Sequence, residues 1–243
     1  MSDLTDKILF SLREQPNLTT EQIARLADAK LDTTQKMLKR MRERKLVIPK
    51  PLPTPNLRGV IYSWKLTEDK TPVLREQNYK HDLKVFDIYV ALRKLGLPMD
   101  WTPKSDQKQG FRFDAKAHMF GNTFYFEVET GTHSVDQIEG KVDAYLTQPG
   151  YFFVVFTVQD YKPNPFDKVT KTARDFGQEI LNMLNVKRRR TGKPLGRQFL
   201  LTPHEKLINY PLAEVLVSHQ QKAYSFQSLE EAESSPAFIP QSN

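Results

Sequence analysis

The feature of this sequence that most constrains its fold is the segment GYFFVVFTV at 150–158, which is apolar almost without interruption. A strand with one face in water alternates apolar and polar residues, whereas a strand covered on both faces is apolar throughout. We therefore expect this segment to form an inner strand of a sheet that other elements cover on both sides. At 243 residues the chain is long enough for two small domains or one large one, and we expect two.

The charge and the cysteine content restrict the partners and the compartment. The formal net charge is +7, which favours a polyanionic partner such as nucleic acid. The chain has no cysteine, so disulfides, thiolate zinc sites and a cysteine nucleophile are excluded. No apolar stretch approaches the ~20 residues of a membrane helix, and the first residues lack the apolar core of a signal peptide. We expect a cytoplasmic protein with no membrane partner.

Apolar residues recur at helical spacing in three successive segments near the N-terminus. The segments LTDKILFSLREQ, TTEQIARLADA and DTTQKMLKRMRERKLV predict three helices, with Thr19 or Thr20 capping the second and Asp32 the third. A proline-rich stretch with a turn near 56–59 follows, and the next residues alternate as a strand does. We therefore predict three helices followed by a hairpin over residues 1–70.

This order of elements resembles a winged helix-turn-helix domain. The resemblance implies that the third helix enters the major groove of double-stranded DNA and that the hairpin touches the adjacent backbone. Thr34 and Gln35 are placed to read bases, and lysine and arginine side chains to contact phosphates. A solvated basic helix face and a protein-docking module stay open as alternatives. The candidate DNA-binding residues of this domain are Thr33, Thr34, Gln35, Lys36, Lys39, Arg40, Arg42 and Arg58.

Beyond a polar linker at 71–80, we predict a second domain at 81–225 and a flexible acidic tail at 226–243. The segment HDLKVFDIYVALRKLG predicts its first helix, and the segment at 165–185 predicts a later one. A basic loop, VKRRRTGKPLGRQ, follows, and a strand and a closing helix end the domain. The loop is expected to contact backbone phosphates, and an ordinary basic surface loop is the alternative. Its candidate DNA-binding residues are Lys187, Arg188, Arg189, Arg190, Lys193 and Arg197.

The segment GFRFDAKAHMFGNTFYFEVET at 110–130 predicts two strands joined by a short turn. The turn is Gly121-Asn122, a two-residue hairpin signal. In the register that this turn sets, Asp114 faces Glu129 across the strand pair. Because side chains alternate along a strand, the hairpin has one apolar face and one charged face.

Three carboxylates, Asp114, Glu127 and Glu129, share the charged face of this hairpin. Carboxylates opposed at ~5 Å repel each other unless a cation or a proton lies between them. That repulsion suggests a Mg²⁺ or Mn²⁺ ion held by the three residues. The alternative is that Arg112 and Lys116 already neutralise this face through cross-strand pairs.

The segment after the hairpin predicts a helix that ends near Pro149. Ser134 and Gln137 form a capping-box pattern, and apolar residues recur along the segment. Gln137 and Lys141 are four residues apart, so they share one side of the helix, and Tyr145 lies one turn further along.

The order helix, strand pair, helix and buried strand resembles the PD-(D/E)XK restriction-endonuclease-like core. The resemblance implies that Asp114 and Glu127 are the metal-binding acids. Phe113 stands where the family has proline, and Glu129 stands where it has the catalytic lysine, so Lys141 is the candidate to supply positive charge at the scissile phosphate. The candidate catalytic residues are Asp114, Glu127, Glu129, Lys141 and Gln137, and the candidate metal ligands are Asp114, Glu127 and Glu129.

Over about residues 5–160 the chain resembles the replication-relaxation family of plasmids, phages and integrative elements. The resemblance implies an α+β or α/β chain, in which an N-terminal winged helix-turn-helix precedes a restriction-endonuclease-like mixed-sheet domain with an inactive nuclease-like site. The leading interpretation is a DNA-binding protein that acts in replication, in DNA relaxation or mobilisation, or in their regulation, with replication or relaxosome proteins as further partners. The alternatives are a Mg²⁺- or Mn²⁺-dependent DNA endonuclease and a protein-docking winged helix factor. A homodimer stays open.

Overall fold

The computed structural model describes the chain at 3–52, 60–70, 74, 79–96, 98–103, 112–130, 133–150, 152–158, 172–191 and 199–211. Over these residues the protein is a mixed α+β structure with seven helices, a three-stranded antiparallel sheet and a five-stranded mixed sheet. The chain divides into two compact units, Met1–Gly96 and Leu97–Asn243. None of the helices in these ranges is long and apolar enough to cross a membrane.

The first unit contains the predicted three helices and hairpin, together with a short strand and a fourth helix. The elements are α1 (Asp3–Glu14), β1 (Leu18–Thr19), α2 (Thr20–Ala27), α3 (Leu31–Glu43), β2 (Val47–Leu52), β3 (Ile61–Leu66) and α4 (Tyr79–Arg93). The three strands pair in the order β1-β3-β2, and all the pairs are antiparallel. Fully buried apolar side chains from α1, α2 and α3 meet in the core of this unit, among them Ile8, Ile23 and Leu38.

Local capping explains where the helices of this unit begin. Thr19 is the N-cap of α2, and its side chain and that of Gln22 form a reciprocal capping box. The predicted cap at Asp32 is wrong, because α3 begins at Leu31, two residues earlier than that cap implies, and its N-cap is Lys30. Asp32 lies instead in the first turn of α3 and pairs with Lys36 at 2.7 Å.

Helix α4 is part of the first unit, whereas the sequence predicted it in the second domain. Two groups of polar contacts fasten it. Tyr89 Oη donates to Glu14 of α1 at 2.9 Å, and Arg93 also donates to Glu14 through Nε at 2.7 Å. Gln22 Nε2 of α2 donates to Asp87 Oδ1 at 3.0 Å. The compact unit therefore extends past the predicted linker at 71–80, as far as Gly96.

The second unit is built on the five-stranded sheet. Its elements are β4 (Asp100–Pro103), β5 (Ala115–Met119), β6 (Asn122–Glu129), α5 (Val135–Leu146), β7 (Phe152–Val158), α6 (Ala173–Thr191), β8 (Phe199–Pro203) and α7 (His204–Asn209). The strand order is β4-β5-β6-β7-β8; the pairs β4–β5 and β5–β6 are antiparallel, whereas β6–β7 and β7–β8 are parallel. Every residue of β7 is buried and the strand lies between two others, which confirms the inner strand predicted from its apolar run.

The hairpin between β5 and β6 turns one residue earlier than predicted. Met119 pairs with Asn122, so the two turn residues are Phe120 and Gly121 rather than Gly121 and Asn122. Both have positive φ, 52° and 71°, as a type I′ turn requires. Every cross-strand partner consequently shifts by two positions. An even shift leaves each side chain on its predicted face, so the apolar and charged faces are unchanged.

Helices α5 and α6 pack together on one face of this sheet, in a core that includes Tyr145, Phe156 and Phe176. The predicted capping box at the start of α5 is confirmed, with Gln137 N donating to Ser134 Oγ at 3.3 Å. Helix α6 extends further than predicted, to Thr191, so the run from Lys187 to Arg190 is helical and not part of a loop. The predicted turn at 56–59 and the predicted tail at 226–243 lie outside the described residues.

Candidate functional site

Two buried glutamates lie on the face of β6 that α5 covers. In the sheet Glu127 is aligned with Phe156 and Glu129 with Val158, and both of these β7 side chains belong to the apolar core formed with α5 and α6. Glu127 is 1% exposed and Glu129 is 0% exposed. A carboxylate at this depth is unfavourable unless it is protonated or paired, so the partners of the two glutamates determine what the site can do.

Lys141 of α5 bridges the two glutamates. Its Nζ atom donates to Glu127 Oε2 at 2.7 Å and to Glu129 Oε1 at 2.6 Å. The side chain of Lys141 retains 26% exposure, whereas the glutamates have almost none. The helix side predicted for Lys141 therefore does face the acidic strand, and the lysine ammonium lies between the two carboxylates.

The other oxygen of each carboxylate also has a partner. Tyr145, one turn beyond Lys141, donates its hydroxyl to Glu127 Oε1 at 2.5 Å. His133 Nδ1 lies 2.7 Å from Glu129 Oε2. All four oxygens of the two glutamates are thus within hydrogen-bonding distance of a protein side chain.

Asp114 lies next to this pair, immediately before β5. Ala115 pairs with Phe126 in the sheet, so Asp114 stands beside Glu127 and not beside Glu129 as predicted. Its Oδ2 atom accepts a hydrogen bond from the backbone amide of Val128 at 2.9 Å. The sequence prediction that three carboxylates gather on one side of the hairpin is consistent with this geometry.

The surroundings shift the pKa values of the two glutamates in opposite directions. Burial, reinforced by the nearby charge of Asp114, raises the pKa of Glu127 to about 7. Burial also opposes ionisation of Glu129, but the hydrogen bond with His133 and the charge of Lys141 hold the pKa of Glu129 below its ordinary value. The pKa of Lys141 is raised, because the charges of Glu127 and Glu129 outweigh its burial. Lys141 is therefore a cation in this cluster and Glu129 an anion.

As arranged, the carboxylates do not fit the predicted Mg²⁺ or Mn²⁺ site. These ions need several oxygen atoms that converge on one point at about 2.1 Å from the metal. Here the oxygens of Glu127 and Glu129 face Lys141, Tyr145 and His133. Within the described ranges, no group of three or more His, Asp or Glu residues is arranged to hold a metal ion.

Two residues of the cluster were not candidates in the sequence, and one candidate has a different contact. Tyr145 could have been found from its position one turn beyond Lys141, whereas no pattern marks His133 except its place four residues after Glu129. Gln137, a candidate catalytic residue predicted on the same side of the helix as Lys141, instead accepts a hydrogen bond from the backbone amide of Ser134 at 2.8 Å. Its side-chain oxygen completes the capping box of α5.

The outward surface of α3 holds most of the DNA-binding residues that were predicted in the first unit. One of them is misplaced: Thr34 is 0% exposed, and its hydroxyl donates to the carbonyl of Lys30 at 3.1 Å. Thr34 belongs to the buried stripe of the helix with Leu38 and Met41, so it is not available to read a base. The remaining α3 candidates are exposed: Thr33, Gln35, Lys36, Lys39, Arg40 and Arg42.

The basic run of the second unit is divided between a lysine that pairs with α5 and an exposed helix end. Lys187 has a side chain that is only 10% exposed, and its Nζ lies 3.0 Å from Glu139 Oε1 and 2.6 Å from Asp143 Oδ1 of α5. Its charge is thus directed to α5. Arg189 and Arg190 are exposed. Arg188 lies in α6, and Arg58, Lys193 and Arg197 lie outside the described residues.

No protein-family model matches this chain, and a search of curated proteins finds no significant match to it.

Proposed function

We propose that this chain is a DNA-binding protein whose first unit is a winged helix-turn-helix that binds duplex DNA. The observation on which the proposal rests is the surface of α3. Its buried stripe packs on the unit, and its opposite side presents exposed Lys36, Lys39, Arg40 and Arg42. A helix of this kind suits the major groove, where basic side chains reach the phosphates on either side.

The elements around α3 support the same proposal. Helices α2 and α3 follow each other closely, and the antiparallel strands β2 and β3 come directly after α3. In winged helix-turn-helix proteins a hairpin at this position touches the neighbouring backbone. With Thr34 buried, Thr33 and Gln35 are the exposed uncharged polar side chains of α3 that remain available to contact bases.

Anisotropy of a labelled duplex in rising salt tests this proposal. The double substitution Lys39→Ala with Arg40→Ala is expected to weaken binding and to reduce the slope of log affinity against log salt by about 0.9 for each phosphate that the variant no longer neutralises. Lys80→Ala, at an exposed lysine of α4, is the matched control and should leave the slope unchanged. Binding that ignores salt, or that survives the double substitution unchanged, would contradict the proposal.

For the second unit we propose a restriction-endonuclease-like core without catalytic activity, used for further DNA contact or for assembly. Support for the core comes from the antiparallel strands β4 to β6, followed by the α5 crossover to the parallel strand β7. Support for the loss of catalysis comes from the acid at position 129 and from the protein donors that fill the oxygens of Glu127 and Glu129. On this proposal the protein acts in replication or mobilisation of a plasmid, phage or integrative element, with replication or relaxosome proteins as partners.

A metal-dependent endonuclease is the second candidate, and the closeness of Asp114 to Glu127 favours it. It predicts that the protein nicks supercoiled plasmid in Mg²⁺ or Mn²⁺ and that Asp114→Ala abolishes nicking. Asp100→Ala, at an exposed carboxylate of β4, is the control. Nicking by the parent and by Asp100→Ala, but not by Asp114→Ala, would establish the endonuclease and remove the non-catalytic proposal.

A further inference from the structure

The cluster of Asp114, Glu127 and Glu129 already contains a positive charge at the position between its two buried glutamates. Lys141 Nζ is 2.7 Å from one carboxylate and 2.6 Å from the other, so it bridges them as a bound cation would. A metal ion with oxygen ligands at about 2.1 Å and an ammonium at these distances cannot occupy that space together. The lysine and a metal are therefore alternatives.

We infer that the Lys141 ammonium is the resident cation of this cluster, and that it excludes a divalent metal ion from the two buried glutamates. The inference rests on the proposed non-catalytic role of the second unit and explains it physically. On this inference the second unit retains the acidic strand of a nuclease-like core, and the Lys141 ammonium supplies the positive charge that a metal ion would otherwise supply.

Neighbouring residues of α5 hold Lys141 in this position. Ile138 and Val142, which flank it on α5, are both 0% exposed and fix the rotation of the helix against the sheet. The capping box at Ser134 fixes where the helix begins. Because the ammonium belongs to α5, it reaches the glutamates without the entropic cost of capturing a separate ion.

A second lysine in the same unit provides a matched comparison. Lys187 also bridges two carboxylates, Glu139 and Asp143, but these side chains are 42% and 57% exposed. Water can solvate them when the lysine is removed, so they create no strong demand for another cation. Glu127 and Glu129 have no such access to water, so removal of Lys141 leaves them in need of a positive charge or a proton.

Binding of Mn²⁺ to the chain of 243 residues, measured from the electron paramagnetic resonance signal of the free ion, tests the inference. The parent protein and Lys187→Ala are expected to bind no Mn²⁺ at millimolar concentration beyond weak surface association. Lys141→Ala and Lys141→Met are expected to lose thermal stability and to bind one equivalent of Mn²⁺. The bound ion should restore part of the lost stability, since a ligand that binds only the folded state shifts the melting temperature upward.

Each other outcome overturns the inference. Stoichiometric Mn²⁺ binding by the parent would mean that Lys141 does not exclude the metal. Folded Lys141 variants that bind no metal would mean that the lysine is not what fills the site. Variants that remain unfolded in excess Mn²⁺ would show that a metal cannot take the place of the ammonium.

The same preparations separate this inference from the proposed function. Duplex binding by the parent depends on α3 and is measured without metal, so its absence would remove the DNA-binding proposal and leave the cation result standing. Mn²⁺-dependent plasmid nicking by the parent would remove the non-catalytic role and the inference together.

Discussion

Glu127 is a buried acidic side chain whose surroundings favour its protonated form. It is almost completely buried, Asp114 lies beside it, and its partners are the ammonium of Lys141 and the hydroxyl of Tyr145. Glu129, two residues away, has the same depth but a lower pKa, because His133 and Lys141 stabilise its charged form. Two identical side chains on one strand therefore differ in their protonation because of their neighbours.

The contribution of Glu127 to folding stability is expected to fall as pH rises between 4.5 and about 7, because the pKa of Glu127 is raised from 4.5 to about 7 on folding. In this window the folded protein retains a proton that the unfolded chain has released, so rising pH favours unfolding. The effect is limited to a few kcal/mol, since one pKa unit corresponds to ~1.4 kcal/mol. The contribution of Glu129 has the opposite sign and is lost below pH 4.5, as pH falls through its lowered pKa.

Glu127→Gln tests this pH dependence, because glutamine does not titrate. Urea unfolding at several pH values across the window should show a flatter profile for this variant than for the parent. Glu139→Gln, at a partly exposed glutamate paired with Lys187, should keep the parental profile. An unchanged slope in Glu127→Gln would assign the dependence to another group.

At the scale of elements, the turn between β5 and β6 and the helix α5 contain glycines with opposite backbone requirements. Gly121 has φ +71°, whereas Gly140 is helical, and a Cβ added at either position meets no atom within 4 Å. We expect Gly121→Ala to destabilise the protein by ~1 kcal/mol and Gly140→Ala to stabilise it by ~0.5–1 kcal/mol. Denaturant midpoints of the two variants measure this contrast, and equal effects of the same sign would contradict it.

The elements that the sequence predicted well are those with a strong periodic pattern. The stripes of α1, α2 and α5 and the apolar run of β7 depend on local residue order, which the sequence shows directly. The turn was predicted one residue late because Phe120 adopts φ 52°, a conformation that aromatic residues rarely take. The short strands β1 and β4 were not foreseen, since their pairing depends on partners distant in the sequence.

The site was predictable in part for the same reason. Alternation along β6 and helical spacing along α5 place Glu127, Glu129 and Lys141 on facing surfaces, and both patterns are local. The burial of Thr34 and the ion pairs of Lys187 were not predictable, because each depends on which side of a helix packs against the rest of the unit. The sequence alone does not distinguish a basic or hydroxyl side chain on the packed side of a helix from one on the exposed side.

The boundary between the two compact units, after Gly96, predicts which fragments of the chain fold by themselves. A fragment of residues 1–96 keeps α4 and its hydrogen bonds with Glu14 and Gln22, whereas a fragment of residues 1–70 lacks them. The shorter fragment also lacks the buried apolar surface of Ile88 and Tyr89. We expect the longer fragment to unfold cooperatively and the shorter one to be strongly destabilised.

Thermal unfolding followed by circular dichroism, together with limited proteolysis, measures this difference. The Asp87→Ala variant of the longer fragment is a finer control, because it removes the contacts of Asp87 with Gln22 and Arg25 of α2 and keeps the helix. Equal stability of the two fragments would mean that α4 is not part of the first folding unit.

Helix α5 joins two adjacent parallel strands, so one short stretch of chain, 127–145, supplies both buried glutamates and the side chains that hold them. The hydrogen-bond partners of the two buried glutamates are consequently close neighbours in the coding sequence. A single recombination event that replaces this stretch exchanges the two glutamates and their partners together. No intermediate protein then contains the buried glutamates without those partners.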